Sequence, residues 1–504
     1  MNEIHLYKRT CGLTGKSILS DKHPSSPYKV YDQEVWYSDK WDALTYGRSY
    51  DFSCSFLEQF RELSLVVPYP NLFTGYQYDE NCDYTNYAGR NKNCYLIFDS
   101  DEDWDCYYCY SLNGSKNCLD CYRVRKSELC YWCIDCLQCY GCSFIQDCAN
   151  CIDCMFMKNC IGCKNCLMCS NLRNKEYYVE NKPMTKEGFE RYCSMLRSRS
   201  AIQSGREHFG QLRLQYPQKD MHGVQNENVL GDYLTNCKNA RSCFDGVDLW
   251  DCAYVFRAFL PVKTSMDCEA PGEAERLYEC SVVGYNAVNC FFCGNCLDQI
   301  SDLLYCSFCF HCKNCFGCVG LNRRQYCVLN KQYTQEEYEA LVPRIIEHMM
   351  KDTSWGEFFP IHLSLFAYNE SCACEYYALG REEVCARGYT WRDPDPKEYI
   401  ASLVNVPDGI DEVSDSITKE ILSCASCQRN YRVISQELEF YRQRTLPVPQ
   451  ECFFCRHRAR QQSRNPRKLY DRTCAKCGKE IRTTYSPDRP EIVYCERCYL
   501  ETVY

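Results

Sequence analysis

Eight cysteines recur in this chain at a constant interval of twelve residues, at Cys82, Cys94, Cys106, Cys118, Cys130, Cys142, Cys154 and Cys166. Ten more lie between or just beyond them in the same register modulo three, at Cys109, Cys121, Cys133, Cys136, Cys139, Cys148, Cys151, Cys160, Cys163 and Cys169. An α-helix repeats every 3.6 residues and a flat strand every two, so neither keeps a period of three. The pattern of this cysteine ladder therefore predicts a narrow β-solenoid of twelve-residue coils, with four inward positions in each coil.

Residues that tolerate a left-handed backbone precede many of these cysteines. They are Asn81, Asn93, Asp105, Asn117, Asp147, Asp153, Asn159 and Asn165. Asn and Asp accept the left-handed conformations that tight corners need. The pattern resembles the twelve-residue β-helix of beetle antifreeze proteins, where small residues and cysteine recur at every third position. The resemblance covers architecture alone, because the Thr-x-Thr arrays of the ice-binding face are missing here.

The repeat is duplicated, since residues 163–190 align without gaps on residues 312–339. Each copy is expected to end in a last strand and a helix that begins at Thr185 or Thr334 and covers the open end. Thr334 and Glu337 predict a capping box. The second copy is less regular, which predicts single-residue bulges. The phase modulo three changes between its cysteine groups: Cys237, Cys243 and Cys252 are in one phase, Cys290, Cys293 and Cys296 are in another, and Cys306 to Cys327 return to the first.

The ladder thiols are interpreted first as small apolar side chains without chemistry. Two alternatives stay open: metal or iron–sulfur binding, because soft metals select thiolates, and disulfides across the core. Outward aromatic residues follow the cysteines at Tyr95, Tyr107, Tyr108, Tyr131, Trp132, Phe144 and Phe156. These aromatic residues are expected either to be buried against another layer, such as the second solenoid, or to form a face for a protein partner or for stacked bases.

Two pairs of C-x2-C motifs near the C-terminus predict two structural zinc sites. The expected ligands are Cys424, Cys427, Cys452 and Cys455 in the first site, and Cys474, Cys477, Cys495 and Cys498 in the second. Four thiolates close a tetrahedral site and leave no open position for catalysis. Such a site folds a segment that is too small to bury a core of its own. Two zinc ions are the expected cofactors, and additional metal in the cysteine ladder is not favoured.

The two motif pairs resemble two known families. The first pair resembles the probable zinc-ribbon family, on the residues Tyr431, Glu437, Phe440-Tyr441, Pro447, Pro449, Arg456, Arg458 and Arg460. The second resembles the family named for its C-x2-C-x17-C-x2-C spacing, including Val493-Tyr494 before the last motif. The resemblance implies tandem ribbons of the kind found in small bacterial proteins, for which nucleic-acid binding is the usual supposition. The whole chain resembles cysteine-rich bacterial zinc-ribbon proteins.

Charge is divided unevenly along the chain. Residues 419–504 hold 17 Lys and Arg against 10 Asp and Glu, whereas the rest of the chain holds 41 against 57. A basic run between the zinc motifs comprises Arg456, Arg458, Arg460, Arg464, Arg467 and Lys468. This run is a candidate contact for nucleic acid or a ribonucleoprotein. The alternatives are a solvated linker and a contact for an acidic protein, including the acidic part of this same chain.

The N-terminus repeats the last ribbon without its metal ligands. Residues 6–31 align with residues 469–494 at a constant offset of 463. Three of the four ligand positions are changed in this copy, to Thr14, Asp32 and Val35. One remaining cysteine, Cys11, cannot hold zinc in a closed site. The same ribbon shape is therefore expected in residues 5–40, with packing of Tyr28, Trp36 and Trp41 in place of the metal.

The predicted fold class is mainly β: a duplicated cysteine-rich β-solenoid with capping helices, zinc ribbons at the C-terminus and a degenerate, metal-free ribbon at the N-terminus. The expected organisation is a degenerate ribbon in 1–50, a linker or helix in 51–80, the first solenoid with its helix in 81–200, a linker in 201–232, the second solenoid with its helix in 233–349, an irregular connecting domain in 350–418, and zinc ribbons in 419–468 and 469–504.

The function expected from these features is non-enzymatic. The sequence has no phosphate loop, dinucleotide fingerprint or H-E-x-x-H motif, so no catalytic residue is predicted. It has no apolar leader and no long apolar stretch, so neither a signal peptide nor a membrane contact is expected, and the predicted compartment is the cytoplasm. The leading hypothesis is a zinc-binding scaffold that contacts nucleic acid or a ribonucleoprotein through its basic ribbons. The alternatives are metal storage or thiol buffering by the ladder, and a structural component of a surface or virion.

Overall fold

The computed structural model describes residues 1–258, 261–267, 274–275, 299–396, 399–402 and 404–504. Its α-helices are α1 (Gln33–Trp36), α2 (Phe56–Val66), α3 (Lys186–Ser194), α4 (Arg199–Leu212), α5 (Gln335–Lys351), α6 (Cys372–Tyr376), α7 (Arg381–Ala386), α8 (Ser435–Arg444), α9 (Phe453–Gln462) and α10 (Glu496–Val503). Short 3-10 helices lie at Ala43–Tyr46, Arg213–Gln215, Ile361–Leu363, Tyr368–Glu370, Ile410–Glu412 and Asp415–Lys419. Between α5 and the strand Leu422–Ser423 the described chain therefore consists of short helices and connecting segments.

A set of strands that are parallel except for the last one, here called the first stack (residues 74–183), contains the cysteine ladder. Its strands are Thr74–Gly75, Asn86–Gly89, Phe98–Asp101, Tyr122–Arg125, Ile134–Leu137, Ser143–Gln146, Met155–Lys158, Lys164–Ser170, Glu176–Val179 and Lys182–Pro183. Most parallel partners lie twelve residues apart in the chain, as in Tyr122 with Ile134. Single parallel bridges with the same offset, such as Glu80 with Lys92, continue the pairing between the strands. The backbone therefore returns to pair with itself after every twelve residues.

Left-handed residues recur throughout the first stack. At every third residue from Asn81 to Glu180, φ lies between 48° and 65°. The Asn and Asp residues that precede the ladder cysteines are among them, as the sequence predicts. The residue after each left-handed one points inward, and all ladder cysteines except Cys82 are buried. A left-handed residue in each step of three explains the period of three in the sequence.

The ladder thiols lie within hydrogen-bonding distance of backbone carbonyls. The Sγ of Cys121 lies 3.6 Å from the carbonyl oxygen of Leu119 in its own coil and 3.5 Å from that of Cys130 in the next coil. Cys118 and Cys142 make the same pair of contacts. A thiol is a weak donor of a size that a narrow coil admits. The interpretation of these thiols as purely apolar packing groups is therefore incomplete.

Inward side chains also accept hydrogen bonds from the next coil. The Sγ of Cys109 accepts from the N–H of Cys121 at 3.4 Å. Serine performs the same role in another inward column, where the Oγ of Ser127 accepts from the N–H of Cys139 at 3.0 Å. Buried N–H groups need such acceptors because no water reaches them. This requirement explains why cysteine and serine occupy positions that alanine could fill by size alone.

A second set of parallel strands, here called the second stack (residues 223–332), pairs in the same way. Its described strands are Gly223–Val224, Leu230–Thr235, Arg241–Val247, Leu249–Trp250, Val262–Lys263, Ala274–Glu275, Ser301–Leu304, Lys313–Phe316, Gln325–Val328 and Lys331–Gln332. It begins at Gly223, within the segment that the sequence indicates as a linker. The register shifts between Leu230 and Gly231, before the first of its cysteines. Leu249 pairs with Val262, thirteen residues further on, so this coil holds one residue more than twelve. The predicted phase of Cys290, Cys293 and Cys296 lies outside the described residues.

A capped helix follows the last strand of each stack. Thr185 is the N-cap of α3, and its side chain accepts from the N–H of Gly188. Thr334 is the N-cap of α5 and forms the predicted capping box with Glu337. Both helices therefore begin at the predicted threonines.

The helix that precedes each stack in the sequence packs on the other stack. Helix α4 lies on the first stack, where the rings of Phe209 and Phe156 are 6.3 Å apart. Helix α2 precedes the first stack but lies on the second, where the rings of Phe56 and Phe316 are 5.2 Å apart. Because α2 precedes the first stack in the sequence but buries its apolar side chains on the second, it couples the two halves of the chain.

Replacing Ser127 tests whether inward side chains act as hydrogen-bond acceptors. Ser127→Ala leaves the N–H of Cys139 without its side-chain acceptor, so the free energy of unfolding should fall by about 1–3 kcal/mol. Ser127→Cys keeps both an acceptor and a donor and should cost less. The measurement is urea unfolding of the full chain, with the exposed Ser194→Ala as control. Equal stability of the alanine and cysteine variants at position 127 would contradict the hydrogen-bonding role.

Candidate metal centres and the buried ionic interface

A hairpin and a helix assemble the first cysteine quartet. Strands Leu422–Ser423 and Asn430–Tyr431 pair antiparallel and hold the first C-x2-C motif in the loop between them. The second motif begins at the N-cap of α9. The four predicted sulfur atoms, those of Cys424, Cys427, Cys452 and Cys455, lie within 4.8 Å of one another.

The second quartet is built in the same way. Strands Tyr470–Thr473 and Glu480–Thr483 form its hairpin, and its second motif begins at the N-cap of α10. The sulfur atoms of Cys474, Cys477, Cys495 and Cys498 also lie within 4.8 Å of one another. Both predicted ligand sets are therefore brought together.

The geometry of both quartets suits a tetrahedral metal ion. A Zn–S distance of about 2.3 Å places the ligand sulfurs of a tetrahedron about 3.8 Å apart. The Sγ atoms of Cys427 and Cys452 are 3.7 Å apart, and those of Cys477 and Cys495 are 3.8 Å apart. Burial raises the pKa of Cys424, but backbone N–H donors outweigh it and lower that pKa to about 7. Both quartets can hold a metal ion, and four thiolates suit zinc.

The N-terminal segment has the shape of the last ribbon without a quartet. Strands Tyr7–Thr10 and Ser17–Ser20 pair in the register of the last hairpin, shifted by the offset of 463. The Sγ of Cys11 accepts a hydrogen bond from the N–H of Asp32 at 3.3 Å. Rings occupy the remaining space: Trp36 and Trp41 are 5.7 Å apart, and Tyr28 and Tyr69 are 5.6 Å apart. Aromatic packing therefore stabilises this ribbon, as the sequence predicts.

The N-terminal ribbon and the last ribbon each form a parallel strand pair with the segment that precedes one of the stacks, and the two ribbons use equivalent residues for it. Val30–Tyr31 pairs in parallel with Tyr69–Pro70, shortly before the first stack. Val493–Tyr494 pairs in parallel with Gln218–Lys219, shortly before the second stack. The two ends of the chain are thus joined to its two halves by equivalent strand pairs.

Four arginines of the basic run face the body of the chain. Arg456 and Arg460 bind Asp120 of the first stack, at 3.0 Å and 2.7 Å. Both guanidinium groups and the carboxylate are buried. A buried charge is tolerated only when it is paired and hydrogen-bonded, so these contacts hold α9 against the first stack.

The other two arginines meet at a carboxylate of the second stack. Arg464 binds Asp135 of the first stack at 2.7 Å and Asp245 of the second at 2.6 Å. Arg467 also binds Asp245, at 2.7 Å. Burial raises the pKa of Asp245, but the charges of the surrounding guanidinium groups hold it well below its usual range. The segment that joins the two quartets therefore bridges both stacks.

The stacks also bind each other directly. Arg123 of the first stack lies 3.2 Å from Asp245 of the second. In return, Arg257 of the second stack lies 2.9 Å from Asp99 of the first. Arg458 and Lys468, the remaining members of the basic run, are exposed to solvent.

The carboxylates of this interface escaped the sequence analysis. Asp120, Asp135 and Asp245 each occupy a left-handed position, where the sequence pattern indicates only a corner residue. The signal that could have found them is the charge division, because an acidic body and a basic end are complementary. That division is explained in large part by contacts within the chain.

Most of the aromatic residues of the first stack are covered. Tyr108 and Tyr131 are buried against the C-terminal module, with ring distances of 6.1 Å to Phe453 and 5.8 Å to Tyr441. Phe156 is buried beneath α4. These aromatic residues are thus buried against another layer, which is one of the two predicted outcomes. The covering layer consists of α4 and the ribbon of the first quartet, not of the second stack.

A buried histidine lies where the two stacks meet the last ribbon. The Nδ1 of His222 lies 3.0 Å from Asp232, and its Nε2 lies 3.6 Å from Asp147 of the first stack. The Oγ1 of Thr484, in the last ribbon, donates to Asp232 at 2.6 Å. Burial lowers the pKa of His222, but the two carboxylates outweigh it and raise that pKa above its ordinary value. Protonated His222 therefore stabilises this junction.

A scan of protein-family models finds none that matches this chain, and a search of curated proteins finds no similar protein. The likeness of the two quartets to named ribbon families stays a prediction. In the described part of the chain, no helix is both long and apolar enough to cross a membrane.

Metal content distinguishes the two quartets from the cysteine ladder. The described residues contain two groups of sulfur ligands close enough to share an ion, so elemental analysis should find about two zinc ions per chain. Cys474→Ser should lower the content to about one ion. Cys11→Ser, the equivalent change in the N-terminal ribbon, should leave it unaltered. A content far above two would instead assign metal to the ladder.

The pH dependence of stability tests the junction at His222. Because its folded pKa is raised, its contribution is fully present below the unfolded pKa of about 6.5 and is lost as pH rises through the folded value. The difference in unfolding free energy between the wild type and His222→Gln should shrink as pH rises through this window. The exposed His208→Gln serves as control. A pH-independent difference would show that the ring acts by packing alone.

Proposed function

We propose that this chain is a non-enzymatic zinc-binding scaffold, in which two β-solenoids are locked together by the C-terminal metal-binding module. The observation that carries the proposal is the burial of four arginines from that module on carboxylates of both stacks. Arg456 and Arg460 lie on α9, which begins at the first quartet, and Arg464 and Arg467 lie in the segment between the two quartets. A bound metal ion would therefore stabilise the contact between the two stacks and would not react with a substrate.

The contact of the four arginines Arg456, Arg460, Arg464 and Arg467 with carboxylates of both stacks is here called the clamp. The energetics of buried ion pairs support its role in holding the stacks together. Removing one partner of such a pair costs about 3–5 kcal/mol, because the other charge stays buried and uncompensated. Asp245 receives Arg123, Arg464 and Arg467 at once, at distances of 2.6 to 3.2 Å. Ion pairs with such short distances can form only in one relative position of the two stacks. The basic run is thus best assigned to the acidic body of its own chain.

The shape of the interface supports a role without catalysis. A cavity of about 170 Å³ lies beside Arg464 and Arg467 and is also lined by Tyr122, Glu375 and Tyr376. Ligand pockets usually measure about 300–1,000 Å³. This cavity is a gap in the ionic interface and is too small for most substrates.

Two alternative functions receive less support. Nucleic-acid contact through the basic run would depend on Arg458 and Lys468, because the other four cations are paired inside the protein. Metal storage by the ladder would require its thiols to form compact ligand sets, and the compact sulfur sets of the described residues are the two quartets. The ladder thiols lie instead against backbone carbonyls.

Two arginines of the same run provide a matched test of the clamp. Arg464→Ala leaves Asp135 and Asp245 short of a buried partner, so the unfolding free energy of the full chain should fall by about 3–5 kcal/mol. Arg458→Ala removes an exposed side chain of the same type and should change it by less than about 0.5 kcal/mol. Urea unfolding of the zinc-loaded protein provides the measurement.

The same two variants test the nucleic-acid alternative. The wild type should show no salt-dependent retention of transfer RNA in a filter assay. If RNA is retained and both substitutions weaken retention without loss of stability, the run serves nucleic acid and the clamp is wrong.

A further inference from the structure

A column of exposed side chains runs along the outer surface of the first stack. Parallel bridges join its members in turn, at Glu80, Lys92, Trp104, Lys116 and Glu128. The residues that follow them in the chain form a second column beside the first. In it, Asn81 donates to Asn93 at 2.9 Å, and Asn93 donates to Asp105 at 3.1 Å.

The second stack carries the same two columns. Its bridged members are Glu227, Lys238, Trp250 and Lys263. In the adjacent column, Asn228 donates to Asn239 at 2.9 Å, and Asn239 donates to Asp251 at 2.7 Å. The duplicated halves of the chain thus share an exposed arrangement, residue for residue.

Most inward residues next to these columns differ between the two stacks, although Cys106 and Cys252, beside the tryptophans, are the same. Those that differ are Asn91, Asp103, Cys82, Cys94 and Cys118 in the first stack, with the counterparts Cys237, Leu249, Val229, Ala240 and Ser265 in the second. If core packing were the only constraint, buried residues would be kept and exposed ones would vary. The exposed columns are kept more closely than the buried residues beside them, and contacts within each column together with a contact outside the chain would account for this.

Each column places an exposed tryptophan among donors and acceptors. Trp104 is 47% exposed and Trp250 is 44% exposed. The ammonium groups of Lys116 and Lys263 lie over their rings, at 3.9 Å and 4.9 Å from the centroids. Amide and carboxylate groups of the adjacent column complete the surroundings.

The remaining lysine of each site is already neutralised. Lys92 binds Glu80 at 2.8 Å, and Lys238 binds Glu227 at 2.9 Å. The whole chain carries a net charge of −9. An anionic polymer such as RNA gains affinity by pairing its phosphates with several free cations. Each site has one lysine paired with a glutamate and one over an indole, with an aspartate in the adjacent column, so these sites do not favour such a polymer.

We propose that the two columns on each stack form a binding site for a neutral polysaccharide. A sugar ring presents apolar C–H groups that pack on an indole, and hydroxyl groups that both donate and accept hydrogen bonds. The Asn, Asp, Lys and Glu side chains beside each tryptophan match those hydroxyl groups. The proposal is independent of the clamp, because it uses the outer surface of each stack and not the interface between them.

A polymer long enough to span both sites should bind more tightly than one that reaches a single site. Linked sites raise the overall affinity by about 100-fold or more when one ligand spans both. A long glucan or mannan should therefore be retained more strongly than a short oligosaccharide. Loss of either tryptophan should remove this advantage, and loss of both should abolish binding.

Native gels that contain a soluble polysaccharide provide the test. The zinc-loaded full chain should be retarded in gels cast with hydroxyethylcellulose, galactomannan or soluble starch, in at least one of the three. Trp104→Ala and Trp250→Ala should each weaken retardation by about 100-fold in apparent affinity, and the double variant should migrate freely. Tyr192→Ala, which removes an exposed ring on α3, should behave as the wild type.

A second measurement uses the unaltered protein, so its result does not depend on whether the variants fold. The polysaccharide that retards the chain should also protect exposed indoles from acrylamide quenching. Absence of retardation in all three gels overturns the proposal. Retardation that survives the double variant, or binding of transfer RNA or heparin without binding of neutral glycan, overturns it as well. None of these results affects the clamp, whose readout is the stability of Arg464→Ala.

Discussion

The narrowness of the twelve-residue coil is the constraint on which the rest of this structure depends. A left-handed residue in every step of three limits the space inside the coil and leaves backbone groups that the strands do not pair. Most inward residues of the first stack are therefore short and hydrogen-bonded, and larger apolar residues such as Ile97, Leu112 and Met157 fill the remaining inward positions. Cysteine and serine meet both conditions, as the contacts of Cys121 and Ser127 illustrate. The abundance of cysteine follows from backbone geometry and requires neither disulfides nor metal in the ladder.

The outward residues solve a different problem, which is how to join two such stacks. Some corners of the coils carry aromatic residues such as Tyr108 and Phe156, which pack on the C-terminal module and on α4. Other corners carry Asp120, Asp135 and Asp245, and the C-terminal module supplies the arginines that neutralise them. The same module holds both cysteine quartets, each of which can hold a metal ion. Its excess of basic residues is complementary to these acidic corners.

Periodic features of this fold were accessible from the sequence, and contacts between distant segments were not. The twelve-residue repeat, the left-handed Asn and Asp residues, the cap at Thr334 and both cysteine quartets follow from local spacing, because each depends on residues close in the chain. The partners of Arg456 and Arg464 lie more than 200 residues away, and nothing in local spacing selects Asp120 or Asp245 from the other acidic residues. The start of the second stack at Gly223 was missed because its first coils contain few cysteines.

The position of the clamp after both stacks in the sequence has a consequence for biosynthesis. Segments leave the ribosome from the N-terminus onward and can fold as they appear. Both stacks are synthesised before α9 and the last ribbon, so Asp120 lacks its arginine partners until then, whereas Asp135 and Asp245 have Arg123 alone. During that interval the ionic contact between the two stacks is incomplete. In the proposed clamp, its completion would require both the segment that carries Arg464 and Arg467 and the metal that folds the quartets.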